Sequence, residues 1–258
     1  MDTYKRNKIK TAVDIFRQIE NWPTAFAMRL QRERRGLRLL SFRNGLNVVC
    51  RSGTNDWGVI HELYFKGIYN RAMAFLKDIP GRPVILDLGA NIGLFSLMAA
   101  ATHAKAEIHA YEPGPPNYRL FEINCLANPA LEKRIHLNKE AIGGKTTRAE
   151  WIFSDQNPAG SGFYTKDGER YQVQIRAFAD VINALPGEIA LAKIDIEGTE
   201  YDLLANTSAE TWRRIQAISL EVHGDPSKKS SPGEFLRKMS GFGFKIEEEN
   251  VINYFLHR

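Results

Sequence analysis

The segment that most restricts the fold of this chain is Ile85-Leu86-Asp87-Leu88-Gly89-Ala90-Asn91-Ile92-Gly93-Leu94-Phe95-Ser96, an apolar strand running into a glycine turn that opens a helix. In open α/β sheets such a turn lies beyond the carboxyl end of a strand, where ligands bind. Gly89 and Gly93 remove Cβ atoms where ligand and helix approach, and the exposed amides at the helix start suit a carboxylate. Asp87, at the strand end, suits an ammonium group. A dinucleotide turn reads G-x-G-x-x-G, with a middle glycine that lets the backbone approach a pyrophosphate. Here Asn91 holds that position, which disfavours NAD. S-adenosylmethionine has no phosphate and presents an amino-acid tail, which suits Asp87 and the turn amides.

The rest of the pattern predicts a doubly wound, mostly parallel α/β sheet. Apolar strands are expected at 84–86, 107–111, 135–138, 189–194 and 217–222, with helices near 93–103, 115–127, 199–206 and 232–241. A final pair, Phe244–Glu248 and Tyr254–His257, closes the sheet antiparallel. Residues 145–176 interrupt the rhythm with a strand pair whose polar, glycine-rich tip, Ser154 to Gly162, is positioned to act as a lid. Ahead of the sheet, two short helices end near Gly36, and Leu37–Phe42 and Leu46–Cys50 flank Arg43-Asn44-Gly45 as a hairpin whose Asn-Gly supplies positive φ angles. Val59 to Leu76 returns to helical spacing. The expected division is residues 1–53, basic helices and hairpin, followed by a cofactor-binding domain over 54–258.

The strand over 107–111 ends at Tyr111-Glu112-Pro113, about twenty residues past the glycine turn, the separation at which an acid meets a ribose diol. Glu112 is the expected ribose ligand, with Ala90 and Pro113 beside the same cofactor. Glu140-Ala141, after the third strand, offers a carboxylate and an amide to an adenine edge or is a surface loop. The fourth strand runs into Asp195-Ile196-Glu197-Gly198-Thr199-Glu200, a concentration of acids that burial alone explains poorly. Glu200 fits a helix-start acid, which leaves Asp195 and Glu197 as catalytic candidates. The fifth strand brings His223 to the same edge, either as the base for an attacking alcohol or, with Asp195 and Glu197, as a divalent-metal ligand; no metal is assigned.

Charge is concentrated at one end. Residues 1–53 hold 12 Lys/Arg against 4 Asp/Glu, a net +8, which leaves −3 for the remainder. Such a segment is a solvated face or meets an anionic substrate, a lipid surface or RNA. Cys50 and Cys125 form no CxxC pair, so neither a disulfide framework nor a zinc site is indicated, and a reducing cytoplasm is expected. No apolar run has the length of a membrane span or of a signal h-region.

Taken together, ILDLGANIGLFS, AYEP and AKIDIEGTEYDLL resemble the FkbM-type methyltransferase family, and the match extends upstream to Arg51-Ser52-Gly53-Thr54-Asn55-Asp56-Trp57, Glu62 and Tyr69. It covers roughly residues 45–258. The resemblance implies a seven-stranded class I methyltransferase sheet and transfer of a methyl group from S-adenosylmethionine, usually to a hydroxyl of a sugar, polyketide or related metabolite, free or carrier-linked. It places cofactor contacts on Asp87, Gly89, Asn91, Gly93 and Glu112, and the meeting point of methyl and acceptor at Asp195 and Glu197. Glu62 and Tyr69 become cleft or packing residues. Two rival readings stand beside it: an RNA methyltransferase using the basic segment, and a non-catalytic cofactor-binding scaffold. The fourth strand lacks the Asn/Asp-Pro-Pro-aromatic turn of amino-group methyltransferases, which makes nucleic acid the weaker partner. A homo-oligomer is compatible with the sequence.

Overall fold

The computed structural model describes residues 3–30, 35–225, 231–248 and 252–258, residues 3–10 by their backbone alone. The chain opens with helices α1 (Thr3–Gln18) and α2 (Trp22–Arg29), then the antiparallel hairpin β1 (Gly36–Ser41) and β2 (Asn47–Ser52). In the hairpin turn only Gly45 adopts positive φ, at 89°. Asn44 contributes differently from the expectation: its side-chain Oδ1 accepts from the Leu46 amide at 3.2 Å.

The helical stretch expected over 59–76 is divided. It forms α3 (Asp56–Ile60), a π-helical turn (His61–Lys66) and α4 (Asn70–Lys77), and the break falls at Gly67, whose φ of 69° ends the wide turn. Such π turns are rare and recur at functional sites.

The main sheet follows: β3 (Val84–Leu88), α5 (Leu94–Thr102), β4 (Glu107–Tyr111), α6 (Pro115–Leu126), α7 (Pro129–Glu132) and β5 (Ile135–Asn138). A small second sheet comes next, from β6 (Ala141–Gly143), β7 (Thr147–Phe153) and β8 (Glu169–Ala177). The chain returns through α8 (Phe178–Ala184), β9 (Ile189–Ile194), α9 (Glu200–Asn206), α10 (Ala209–Trp212), β10 (Ile215–Glu221), α11 (Pro232–Gly241), β11 (Lys245–Glu248) and β12 (Asn253–His257). The short α8 is absent from the periodicity reading, because Phe178, Val181 and Ile182 form a single apolar turn too brief to register.

Seven strands lie in the order β11-β12-β10-β9-β3-β4-β5. Neighbours from β10 to β5 pair in parallel, whereas β12 runs antiparallel to both β10 and β11. The sheet is therefore mixed, and the mostly parallel character expected of it stops at β12.

Apolar side chains cover both faces. Ile85, Ile108, Ala110 and Leu191 join a cluster with α4, α5 and α6, while Leu86, Leu88, Ala192 and Ile194 face Phe178, Leu203, Trp212 and Phe235 on the other side. The first cluster also contains Ile15, Ile19, Leu40, Val48 and Cys50, so the N-terminal helices and hairpin share their buried apolar surface with the main sheet. Polar contacts fix the join: Asn124 on α6 accepts from the Val49 amide at 2.6 Å, and Asn128 accepts from the Asn47 amide at 2.9 Å. Both cysteines are buried, and neither is in a disulfide. No helix among the described residues is long and apolar enough to cross a membrane.

Candidate active site

A cavity of about 400 Å³ opens at the carboxyl ends of β3, β4 and β9, within the size range of small-molecule sites. The glycine turn forms its floor. At Gly89 the φ is 76°, and a Cβ there would lie 1.8 Å from the Asp195 carbonyl oxygen, so two strand ends meet at a separation that only glycine permits. Gly93 has a different job: its φ is 89°, a Cβ would strike the Phe121 ring at 2.1 Å, and it does not line the cavity. Asn91, between them, sits at a φ of 52° that asparagine tolerates better than most residues, and its buried Oδ1 has no partner.

Glu112 is clamped beside this turn. Its Oε2 accepts from the Asn91 amide and its Oε1 from the Gly114 amide, both at 2.8 Å. Burial pushes its carboxyl up to about 7, although both amide hydrogen bonds favour the ionised form. Pro113, Ala90 and Ala141 line the cavity with it, next to Trp151 and Ile142. Glu140 does not: its carboxylate lies 3.7 Å from Arg176, outside the cavity wall.

Asp87 is fully buried below the cavity floor rather than in its wall. Its Oδ2 accepts from the Ser96 hydroxyl at 2.6 Å, and its Oδ1 lies 3.7 Å from Lys193 Nζ. Lys193 is the residue that sequence reasoning missed. Its ammonium donates to the Gly89 carbonyl at 2.6 Å and the Leu88 carbonyl at 3.3 Å, and pairs with Asp195 at 3.2 Å. Burial disfavours the charge, but Asp195 and Asp87 outweigh it and hold the lysine protonated. The signal was a lone cation inside the otherwise apolar strand Ile189–Ile194, which a buried position tolerates only with a partner.

At the far end of the cavity, Asp195, Glu197 and Glu221 line the wall. Glu197 takes a left-handed φ of 53°, uncommon for a long side chain. Burial and the neighbouring Asp195 push its carboxyl up to about 7. His223 stands behind it. The ring Nδ1 meets Glu200 Oε1 at 3.0 Å, while Nε2 lies 3.5 Å from Glu221 and 3.6 Å from Glu197. Burial opposes protonation of this imidazole, yet Glu200 and Glu221 raise it to about 11, so it is an imidazolium near neutral pH.

Glu200 does more than begin α9. Its fully buried carboxylate accepts from the Ile196 amide at 3.1 Å and the Gly198 amide at 3.3 Å, fixing the loop that aims Glu197. Ligand atoms of Asp195, Glu197 and His223 lie within 4.8 Å of one another, a set of donors that could converge on one divalent cation.

The remaining walls come from upstream and from the second sheet. Glu62 and Tyr69 both line the cavity; Tyr69 is buried edge-on against Phe95 at 5.0 Å, whereas Glu62 is half-exposed and pairs with Lys66. Asn157, Ala159, Gly160 and Ser161 of the expected lid line it too. Arg51 anchors that loop indirectly. It forms a two-pronged ion pair with buried Asp56, donates to Asn117 Oδ1 at 2.8 Å, and Asn117 in turn donates to the Pro158 carbonyl at 3.1 Å.

Comparison with known proteins places this geometry. The profile of the Methyltransferase FkbM domain matches residues 87–246. The 31-O-demethyl-FK506 methyltransferase FkbM of Streptomyces tacrolimicus is 25% identical over 242 residues, covering 81% of this chain and 90% of that protein. Methyltransferase 1 of Beauveria bassiana is 24% identical over 208 residues, 72% of this chain and 82% of its own length. Among solved structures, methyltransferase FkbM from Methylobacillus flagellatus KT aligns with a TM-score of 0.45 and 16% identity, over 69% of this chain and 44% of that one. The profile match runs from the glycine turn through both acidic strand ends and covers more than half of the chain, and on that basis the protein belongs to the FkbM-domain methyltransferases.

Proposed function

We propose that this methyltransferase uses S-adenosylmethionine to methylate a hydroxyl oxygen of a small or carrier-linked metabolite, such as a sugar or polyketide. The observation that carries the reading is the polarity of one cavity: a carboxylate clamped on backbone amides at the glycine turn, and a second set of carboxylates facing it at the ends of β9 and β10. The residues present fit the cofactor. Glu112 offers carboxylate oxygens to a ribose diol, the unpartnered Asn91 Oδ1 offers an acceptor in the turn, and Trp151, Ile142 and Ala141 form an apolar wall for an adenine. Asp195, Glu197 and Glu221 supply the negative field that a cationic sulfonium requires. When bound, the cofactor supplies an electrophilic methyl group.

The chain's own groups do the remaining work. Glu62, Tyr69 and the loop around Gly160 confine an acceptor next to Glu197 and exclude water. Glu197, with a carboxyl near 7, would take the proton of the acceptor hydroxyl. His223, already protonated, serves as the fixed charge that orients Glu197 and Glu221 rather than as the base. The name of the Streptomyces relative, which specifies an O-demethyl substrate, supports oxygen as the methylated atom.

The convergence of Asp195, Glu197 and His223 favours a second reading of the same end, in which a divalent cation bound there acidifies the acceptor hydroxyl. Incubation with labelled S-adenosylmethionine and a panel of hydroxyl and amine acceptors, with and without a chelator, tests both. Methyl ether products that survive chelation support Glu197 as the base. Loss of turnover on chelation with recovery on adding magnesium supports the cation, and products confined to amines would refute oxygen transfer.

A further inference from the structure

The loop between β7 and β8 is closed on itself at its base. Gly162 and Ile152 exchange backbone hydrogen bonds at 3.1 and 3.2 Å, the Ser154 amide donates to the Ser161 hydroxyl at 2.9 Å, and the Thr165 hydroxyl donates to the Gly160 carbonyl at 2.9 Å. This base brings Gly162 over the acidic end of the cavity, where a Cβ on it would lie 3.5 Å from the Glu197 Cβ. The tip reaches further out: Asp155, Gln156 and Asn157 are exposed, so its place at the cavity depends on what it touches outside the loop.

Two asparagines supply those contacts, one ahead of α3 and one in the first turn of α6. Asn55 stands at the N-cap position of α3, where an asparagine ordinarily accepts from the helix's own amides, yet it makes no such bond. Its side chain turns to the loop instead: Oδ1 accepts from the Ala159 amide at 3.4 Å, and Nδ2 donates to Asn157 Oδ1. Asn117 is buried, and its amide is oriented by its neighbour. The Arg51 guanidinium, gripped by Asp56, carries donors alone, so Oδ1 of Asn117 faces it and Nδ2 is turned to the Pro158 carbonyl at 3.1 Å.

We propose that Asn55 and Asn117 are positioning residues for methyl transfer, two amide clasps that hold residues 157–162 over the acceptor end of the cavity. This role rests on the reading of Glu197 as the residue that meets the acceptor. Arg51 acts one step further back, by fixing which way Asn117 points. An amide suits both places because each clasp needs an accepting and a donating half, and an aspartate would keep only the first. The Arg51-Ser52-Gly53-Thr54-Asn55-Asp56 segment, upstream of the sheet, thereby reaches the acceptor through the loop rather than by touching the reacting atoms.

Hydrogen exchange on the full chain, with Asn117→Asp and Asn55→Asp beside wild type, tests the clasps. Each substitution keeps the accepting half of the amide and removes the donating half, so the Arg51 pair and the Ala159 bond survive while the Pro158 and Asn157 bonds do not. The Ala159, Gly160 and Gly162 amides should exchange about tenfold faster or more in Asn117→Asp, and about threefold faster in Asn55→Asp. Melting temperature should stay at the wild-type value, and affinity for S-adenosylhomocysteine within about twofold. With the panel of hydroxyl acceptors, KM for the acceptor should rise about tenfold in Asn117→Asp while kcat falls less, a split that lost stability would not give. Unchanged exchange in both variants overturns the proposal. So does faster exchange over the whole chain with a lowered melting temperature, the mark of a merely structural pair, and so does faster loop exchange with KM and kcat both as in wild type. Failure of the wild type to bind S-adenosylhomocysteine is a separate result: it overturns the cofactor reading of the cavity, while the exchange rates still decide whether the two asparagines hold the loop.

Discussion

The two ends of the cavity are built on different principles. At the glycine turn, position is set by the backbone: Gly89 lets β3 and the β9 end close to contact, and two main-chain amides hold Glu112. At the ends of β9 and β10 it is set by side chains, with Glu197, Glu200, Glu221 and His223 orienting one another. A backbone-built site tolerates few substitutions yet changes little with pH outside its one acid. A site built from ion pairs is chemically adjustable, and its members depend on each other's charge. The contrast accords with the proposal that the first end binds and the second carries the chemistry.

The comparison would break most readily at Glu197. Replacing it by Gln should lower kcat by about 10²–10⁴ while leaving affinity for S-adenosylhomocysteine, which lacks the sulfonium charge, within about twofold, the range for removal of a general base. Single-turnover rates alongside calorimetric titration separate the two quantities, and an equal loss in both would assign Glu197 to binding.

Next in size is Lys193→Met. It strips the charge partner from buried Asp87 and the donor from the Gly89 carbonyl, and should destabilise the fold by about 3–5 kcal/mol. Denaturant unfolding measures this. A change below about 1 kcal/mol would mean that Asp87 takes up a proton instead and that the lysine is not what holds the turn.

Glu112 gives a pH signature. Burial raises its folded-state carboxyl to about 7, above its ordinary value of 4.5, so the folded protein holds that proton while the unfolded chain releases it. The raised value favours folding at low pH, and the advantage is lost as pH rises toward 7. On the proposed reading the ribose hydroxyls would donate to the ionised carboxylate, so S-adenosylhomocysteine should bind more tightly as pH rises, by up to about tenfold per unit, and level off above 7. Calorimetry across pH 5.5–8.5, a range of about three units, should show this slope in the wild type and a flat line in Glu112→Gln. A slope that persists in the variant would assign the titration to another group.

The smallest expected effect lies outside the site. Gly45→Ala places a side chain at a φ of 89° and should cost about 1 kcal/mol in thermal unfolding, with no change in cofactor affinity.

The same division governs what the sequence discloses. Strands 107–111, 135–138 and 189–194 are read from pattern at the bounds the structure gives them, because apolar runs between turn residues announce themselves locally. Glu112, which lines the cavity beside the glycine turn, is singled out in the sequence by its separation from that turn, a distance fixed by one β-α-β unit. The acidic end resists such reading. That Glu200 ties down the Ile196–Gly198 loop, that His223 is held charged, and that Lys193 sits beneath the turn all depend on contacts between strands distant in sequence. Asp87 and Glu140 show the limit from the other side: position at a strand end suggests a ligand role for Asp87 and leaves Glu140 between adenine ligand and surface loop, and only the structure shows their side chains turned to Ser96 and Arg176.

The most direct test of the account is calorimetric titration of S-adenosylhomocysteine into wild type, Glu112→Gln and Glu197→Gln at pH 8. Wild type should bind it at micromolar affinity, Glu112→Gln should lose about tenfold or more, and Glu197→Gln should bind nearly as the wild type does. Absence of binding to folded wild-type protein, or equal losses in the two variants, would contradict the assignment of one end to the cofactor and the other to the chemistry.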